Sequence, residues 1–315
     1  MKENKYEVII VGGGPAGLTA GIYSMRAGLK TLLFEKGLLG GQVANPKIVD
    51  NYPGMESLTG FELAEKLASH AKSFNLAVIQ DEIESVSTSN GTKIIRTASG
   101  ESFESLTLIL APGGTAKKLN IPGETEFFGS GVSYCGTCDG FFFRDKIVCV
   151  VGGGNNAAEE ALHLARLARK VYLIHRREEL RANRVLQQQI RNEPAIEIVW
   201  NSVVRAIKGT AGVVSAAVVE NIRTGETRDL ATDGIFIRIG FFPNNKLIPQ
   251  EVSINDEGYA LTDEKCETSV PGIFAVGDLR QKYANQIVVA AADGCIAALA
   301  AAHYVELRKA GFNVQ

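Results

Sequence analysis

The chain has 315 residues, with 33 Lys plus Arg against 35 Asp plus Glu and a formal net charge of −2. That length suggests roughly two domains at about 150 residues each, and the balanced charge excludes a whole-chain field toward nucleic acid or an anionic membrane. The composition is that of an ordinary globular protein apart from 33 glycines, whose clusters mark backbone held close to a ligand or another element.

Met1–Lys5 is short and polar and runs straight into the apolar strand Glu7-Val-Ile-Ile-Val11. A secretory leader would need a basic start, a longer apolar run and a small-residue cleavage site, so a cytoplasmic protein is expected. Five cysteines, an odd number, do not form a disulfide framework. In a reducing compartment a close pair is catalytic or metal-binding more often than structural.

Tyr6–Glu35 spells strand, glycine turn, helix (Leu18–Ala27) and second strand (Thr31–Glu35). Gly12, Gly14 and Gly17 fit G-x-G-x-x-G: the first glycine permits the tight turn, the second admits a pyrophosphate, and the third packs helix on strand. The helix N-terminus then offers free N–H groups to the anion. Glu35 closes the unit where an acid can hydrogen-bond ribose hydroxyls. A ligand-free glycine turn is the bland alternative. Further on, Asp81–Ser99 reads as strands, and Leu106–Ala111 as a buried strand ending at Pro112-Gly-Gly114.

Tyr134-Cys-Gly-Thr-Cys-Asp-Gly140 carries C-x-x-C, a spacing that permits a small disulfide ring and is associated with a lowered thiol pKa. Asp139 stands where a carboxyl group can protonate a leaving thiolate or take the proton back. A structural zinc would need a second pair or a histidine pair; Cys149, Cys266 and Cys295 are scattered, and no metal is expected. A merely buried pair is the other alternative. Cys149 and Cys295 are read as core residues, and Cys266 as part of a surface turn. His70, His163 and His303 fall in helical stretches as surface or packing residues.

Lys146–Arg177 repeats the first design, with strand Ile147–Val151, turn Gly152-Gly-Gly-Asn-Asn-Ala157, helix Ala158–Ala168 and strand Lys170–His175. Gly152, Gly154 and Ala157 give the G-x-G-x-x-A variant. Where the first unit has Glu35, this one has His175, Arg176, Arg177 and Arg181. An acid there would repel a 2′-phosphate, whereas Arg pairs with it in forked geometry. The first site is therefore expected to take FAD and the second NADPH, with His175 part of the NADPH turn rather than a general base. A solvated cationic face is the alternative for the arginines.

Ile196–Val219 and Gly234–Ile239 read as strands, Pro243-Asn-Asn245 as a turn, and Gly272–Asp278 as a strand ending in glycine and acid. The apolar stretch Ile287–Val305 is broken by Asp293-Gly294 and contains His303, so a buried helix (Ile287–Tyr304) is expected rather than a membrane span. The fold class is α/β, with two Rossmann-like nucleotide-binding domains.

From Tyr6 to Val305 the chain resembles the low-molecular-weight thioredoxin reductases. The resemblance rests on the Gly12–Gly17 turn, Gly40-Gly-Gln42, Asn51-Tyr-Pro-Gly54, Cys135-x-x-Cys138-Asp139-Gly140, Gly152-Gly-Gly154, His175-Arg-Arg177 with Arg181, and Gly277-Asp278. In the glutathione-reductase type the dithiol lies early in the FAD domain; here it precedes the second glycine turn. The resemblance implies two domains of the three-layer ββα type, the second inserted into the first: an FAD domain over 1–116 and 245–315, and an NADPH domain over 117–244 that carries the dithiol. It implies a homodimer; on the residue reading above, no metal, membrane or nucleic-acid attachment is expected. It implies electron flow from NADPH through FAD and Cys135–Cys138 to thioredoxin, with the inserted domain rotating on hinges near Ala116–Lys118 and Phe242–Asn245.

For FAD the resemblance points to Gly12, Gly14, Pro15, Ala16, Gly17, Glu35, Lys36, Gly41, Gln42, Asn51, Ala111, Gly113, Asp278, Gln286 and Ile287. For NADPH it adds Asn155 and Asn156 to Gly152, Gly154, Ala157, His175, Arg176, Arg177 and Arg181. Cys138 would face the flavin and Cys135 would attack the substrate disulfide. Two positions depart from the family pattern. Pro112 stands in place of the usual threonine and removes a backbone donor, and Asn285 stands where an arginine commonly precedes Gln286. Competing expectations are a flavin-dependent disulfide reductase serving another protein, a ferredoxin-dependent reductase or dithiol oxidase, and a non-catalytic redox-sensing flavoprotein.

Overall fold

The computed structural model describes residues 4–312; the polar start read at Met1–Lys5 lies outside them as far as residue 3. The chain divides into two compact units, one taking in the sequence up to Thr115 and again from Phe242, the other spanning Ala116–Phe241.

The first unit opens with β1 (Lys5–Val11), α1 (Pro15–Arg26) and β2 (Thr31–Glu35). Helix α1 begins at Pro15, three residues before the expected Leu18, because proline at the first helical position loses only an N–H that has no partner there. Next come α2 (Gly60–Ser73), β3 (Ala77–Gln80), β4 (Ile83–Ser89), β5 (Thr92–Thr97) and β6 (Ser102–Leu110). A capping box starts α2: the Thr59 hydroxyl accepts the Glu62 N–H at 3.2 Å while the Glu62 carboxylate accepts the Thr59 N–H at 2.8 Å.

The chain leaves the first unit through β7 (Gly114–Ala116). It then forms β8 (Val132–Ser133), α3 (Gly136–Asp139), β9 (Ile147–Gly152), α4 (Asn155–Ala165), β10 (Lys170–Ile174), α5 (Arg184–Asn192) and β11 (Ile196–Val199). After these come β12 (Ser202–Thr210), β13 (Val213–Asn221), β14 (Thr227–Ala231) and β15 (Gly234–Arg238). It returns through β16 (Phe241–Pro243), which pairs with β7 as a two-stranded ribbon. The parallel sheet of this second unit runs β11-β10-β9-β15-β8, and β12-β13-β14 form an antiparallel sheet. Along β9, Val148 and Val150 pack with Ala157, Ala161 and Leu164 of α4. Cys149 and Val151 pack instead with Val204 and Ile207 of β12 and Val219 of β13. Helices, parallel sheet and antiparallel sheet are thus three layers, and β9 reads apolar from Ile147 to Val151 because both of its faces are covered.

Back in the first unit, β17 (Ile273–Ala275) pairs with β6, and α6 (Ile287–Lys309) ends the described chain. The sheet order is β3-β2-β1-β6-β5-β4 with β17 alongside β6. Val8 and Ile10 join one core with α1 and α6 while Ile9 and Val11 join the core on the other face. Helix α6 is long and apolar enough to cross a membrane by length and composition. Its Gly294, however, lies against the Ala16 carbonyl, where a Cβ would collide, and Ala297, Ala298 and Ala301 are buried in the core.

Candidate active site

In the first unit the tip of β1 and the start of α1 form a bare backbone cradle. Gly12 has φ +106°, and a side chain there would strike the Ala111 carbonyl. A Cβ at Gly17 would strike the Gly12 carbonyl. Gly14 differs: a Cβ there would meet nothing within 4 Å. It is the N-cap of α1, with no side chain capping the helix. Packing explains Gly12 and Gly17; at Gly14 the open space and uncapped N–H groups fit a phosphate. Gly41 abuts Gly14, and Gly277 approaches the Ala16 side chain, its would-be Cβ 3.2 Å away. Gln42 donates its side-chain N–H to the Gly114 carbonyl.

The Glu35 carboxylate accepts the Gly13 N–H at 2.6 Å and the Gly37 N–H at 2.8 Å, so it lies along the glycine turn. Lys36 pairs with Glu82 at the surface, and Asn51 is exposed. At the departure Ala111-Pro-Gly113, Ala111 donates to the Val11 carbonyl and Pro112 accepts from the Asn244 amide at 2.8 Å. Gly113 has φ +69°. Gln286 caps α6, and Ile287 is its first residue. Asn285 is exposed. Burial raises the Asp278 carboxyl above the usual carboxylate range, partly countered by Lys282 at 3.4 Å.

Two cysteines depart from their expected places. Cys266 is fully buried, not in a surface turn: its sulfur accepts from Arg280 Nη1 at 3.1 Å beside Asp293. Its polar neighbours in sequence suggested a surface, but the packing of α6 and Arg280 closes over it. Cys295 is only half-buried and bonds with the Tyr23 hydroxyl. Cys149 is buried as expected. Burial pushes both Cys149 and Cys266 thiols up to about 12, which leaves them unreactive.

In the second unit the cradle recurs. A Cβ at Gly152 would strike the Arg238 carbonyl, while Gly154, the uncapped N-cap of α4, again faces open space. Asn155 and Asn156 are exposed and Ala157 is buried. The loop after β10 folds back onto this turn, with the Arg181 and Ala182 N–H groups donating to the Gly153 carbonyl at 2.7 and 3.1 Å. His175 packs over Gly153 with Nε2 3.0 Å from the Glu179 carbonyl, and burial lowers its pKa. Arg176, Arg177 and Arg181 are exposed, and among the described residues none of them forms an ion pair. Three unneutralised guanidinium groups beside a glycine cradle suit a phosphorylated ribose.

Cys135 and Cys138 are joined as a disulfide, their Cα atoms 5.3 Å apart, across the short helix α3. Ser133 organises the neighbourhood: its hydroxyl donates to Asp139 at 2.5 Å and accepts the Cys135 N–H at 3.0 Å. Four further residues were not singled out from the sequence. Glu160 of α4 is buried and accepts the Gly136 N–H. Arg238, at the end of β15, donates to the Tyr134 carbonyl at 2.8 Å and lies 3.6 Å from Glu160. Burial raises the Glu160 carboxyl, with Arg238 and the Gly136 N–H pulling it back. An acid on the inward stripe of α4, amid Ala157, Ala161 and Leu164, was the available signal. Phe141 and Phe142, just past the dithiol, are exposed at 63% and 36%.

The model of the pyridine nucleotide-disulphide oxidoreductases matches residues 6–294. The chain belongs to that family. It is 44% identical over 307 residues to the thioredoxin reductase of Bacillus subtilis (strain 168), covering 97% of each chain. It is 42% identical to that of Peptoclostridium acidaminophilum over 96% of this chain and 98% of the relative. The crystal structure of thioredoxin reductase from Streptococcus pyogenes MGAS5005 superposes with a TM-score of 0.94 at 39% identity, covering 97% of this chain and 99% of the other. Family membership and the two glycine cradles agree on the fold class, two Rossmann-like nucleotide-binding units.

Proposed function

We propose that this chain is an NADPH-dependent thioredoxin reductase. The observation that carries the proposal is a C-x-x-C disulfide, with a carboxylic acid beside it, in a chain that holds two open dinucleotide cradles of opposite charge character. The discontinuous first unit is read as the FAD domain and the inserted unit as the NADPH domain. Gly14, Gly41 and the N-terminus of α1 would hold the FAD pyrophosphate, with Glu35 toward ribose, Asp278 toward the ribityl chain and Gln286 toward the ring. Gly154 and the N-terminus of α4 would hold the NADPH pyrophosphate, and Arg176, Arg177 and Arg181 the 2′-phosphate.

Bound FAD supplies the two-electron relay between NADPH and the disulfide. The chain's own groups do the rest. Cys135 attacks the thioredoxin disulfide, Cys138 expels it by closing the ring again, and Asp139 holds the proton that the thiols exchange. Exposed Phe141 and Phe142 offer the incoming protein an apolar platform beside the sulfurs. A cytoplasmic homodimer is part of the reading. Val288, Ile296 and Leu299, exposed along the outer side of α6, support a second copy as their cover.

The unpaired arginines and the open Gly154 cradle weigh against a ferredoxin-dependent reductase or a dithiol oxidase, neither of which needs an NADPH site. Anaerobic titration tests the reading: NADPH should bleach the flavin band, and oxidised thioredoxin should restore it. A protein bleached only by NADH, or not reoxidised by thioredoxin, would not be this enzyme.

A further inference from the structure

We infer that Glu160 and Arg238 form an ionic clamp on the backbone either side of Cys135, and that the clamp sets the disulfide–dithiol equilibrium of the Cys135–Cys138 pair. The inference rests on the redox role proposed for that pair.

The geometry brackets one residue. Arg238 Nη1 donates to the carbonyl of Tyr134, just before Cys135, and the N–H of Gly136, just after it, donates to Glu160. The two side chains face each other, Nε to Oε1, at 3.6 Å. The Glu160 side chain is 6% exposed and that of Arg238 is 27% exposed. A Cβ at Gly136 would sit 2.7 Å from the Glu160 carboxyl carbon. Glycine there lets the acid press against the turn.

Packing does not account for this acid. Its neighbours on the inward side of α4 are Ala157, Ala158, Ala161 and Leu164, and an apolar residue would complete that stripe. Burying an ion pair costs desolvation that the attraction seldom recovers in full. The chemistry above the clamp supplies a reason for the charges. Reduction breaks the S–S bond with two electrons originating in NADPH; one sulfur takes a proton and the other is left as thiolate. The new anion forms on the turn whose backbone Arg238 and Glu160 hold, so the cation favours it and the acids Glu160 and Asp139 oppose it. The balance between cation and acids fixes how readily the pair accepts electrons.

Charge-removing substitutions at the two ends should move the equilibrium in opposite directions. A purely structural clamp would move it the same way, or not at all. The experiment equilibrates the full-length flavin-loaded protein with graded mixtures of reduced and oxidised dithiothreitol. It is then quenched in acid and alkylated, and modified Cys135 and Cys138 are counted by mass spectrometry. Glu160→Gln, which keeps an oxygen for the Gly136 N–H, should shift the equilibrium about tenfold toward dithiol, about 30 mV for a two-electron couple. Arg238→Met should shift it a similar factor toward disulfide, and the double variant should return near wild type. Opposite single-variant shifts of about fivefold or more, with that return, uphold the clamp; any other pattern overturns it. If Glu160→Gln does not fold, Arg238→Met against Arg238→Lys decides, since only the loss of charge should shift the pair. Wild-type thioredoxin reduction by NADPH is measured separately, so failure of the enzymatic reading remains distinct from failure of the clamp.

Discussion

The Ser133 hydroxyl donates to the Asp139 carboxylate over 2.5 Å, and the same oxygen accepts the Cys135 N–H at 3.0 Å. The acid is therefore oriented by the residue that also fixes the backbone of Cys135, the cysteine proposed to attack the substrate disulfide. Asp139→Asn keeps the Ser133 contact and removes the exchangeable proton. Thioredoxin-dependent NADPH oxidation should fall about 10²-fold, while stopped-flow bleaching of the flavin by NADPH continues. Equal losses in both would move Asp139 out of the proton-transfer role.

Cys135→Ser separates the two sulfurs. Under the proposed roles thioredoxin reduction should vanish, because the thiolate assigned to attack is gone, and NADPH should still reduce the flavin. Loss of both half-reactions would reverse the assignment of Cys135 to substrate and Cys138 to flavin.

The arginine cluster makes a prediction about cofactor choice. Charge-assisted hydrogen bonds are worth about 1.5–3 kcal/mol each. Arg177→Ala with Arg181→Ala should therefore raise KM for NADPH about 10²-fold or more. KM for NADH, which lacks the 2′-phosphate, should change little, and steady-state kinetics with both nucleotides reads the contrast.

The glycines divide by what lies beyond their missing side chains. Gly17→Ala places a methyl on the Gly12 carbonyl and should lower stability by about 1–3 kcal/mol. Gly154→Ala meets open space, so its thermal midpoint should match wild type while NADPH affinity drops. Calorimetry and nucleotide titration on both variants test the division.

Lys93 gives stability a pH dependence. It is buried, its ammonium donates to the Pro271 carbonyl at 2.8 Å, and burial pushes its pKa down from 10.5 to about 8. Below pH 8 both states hold the proton, and the cost of burying the charge is present in full. Between 8 and 10.5 the folded state releases its proton first, the unfolded state binds more, and stability climbs by up to about 3 kcal/mol. Above that window both states are neutral and the curve flattens. Lys93→Met should lack the climb in urea melts across this range.

The two β-α-β units were legible because their signals are local: apolar strand, glycine turn, helix and strand within about thirty residues. Helix starts slipped by three residues, since Pro15 and Asn155 read as turn residues although each opens a helix. A helical stretch around His70 was legible, but the start of α2, written in its Thr59–Glu62 box, was not assigned. Cys266 was misplaced because its burial comes from Arg280 and α6, remote in sequence. Glu160 lies 24 positions from Gly136, and no local pattern announces that the two touch. Strand and turn chemistry is short-range, whereas the ion pair under the dithiol exists only once α4, β15 and the turn at Cys135 have packed together.

The insertion also orders events during synthesis. Strand β6 ends at Leu110, and its partner β17 begins only at Ile273. At about 5–20 residues per second the ribosome needs on the order of ten to thirty seconds to deliver the missing strand. Throughout that interval the sheet of the first unit has a bare flank, and α1 lacks α6. The inserted unit, whose core residues all lie within Ala116–Phe241, can complete itself in that wait. A nascent chain stalled near residue 280, with its last several tens of residues still enclosed by the ribosome, should therefore carry a protease-resistant second unit on an incomplete first one, and the emerging first unit is where a chaperone would be needed.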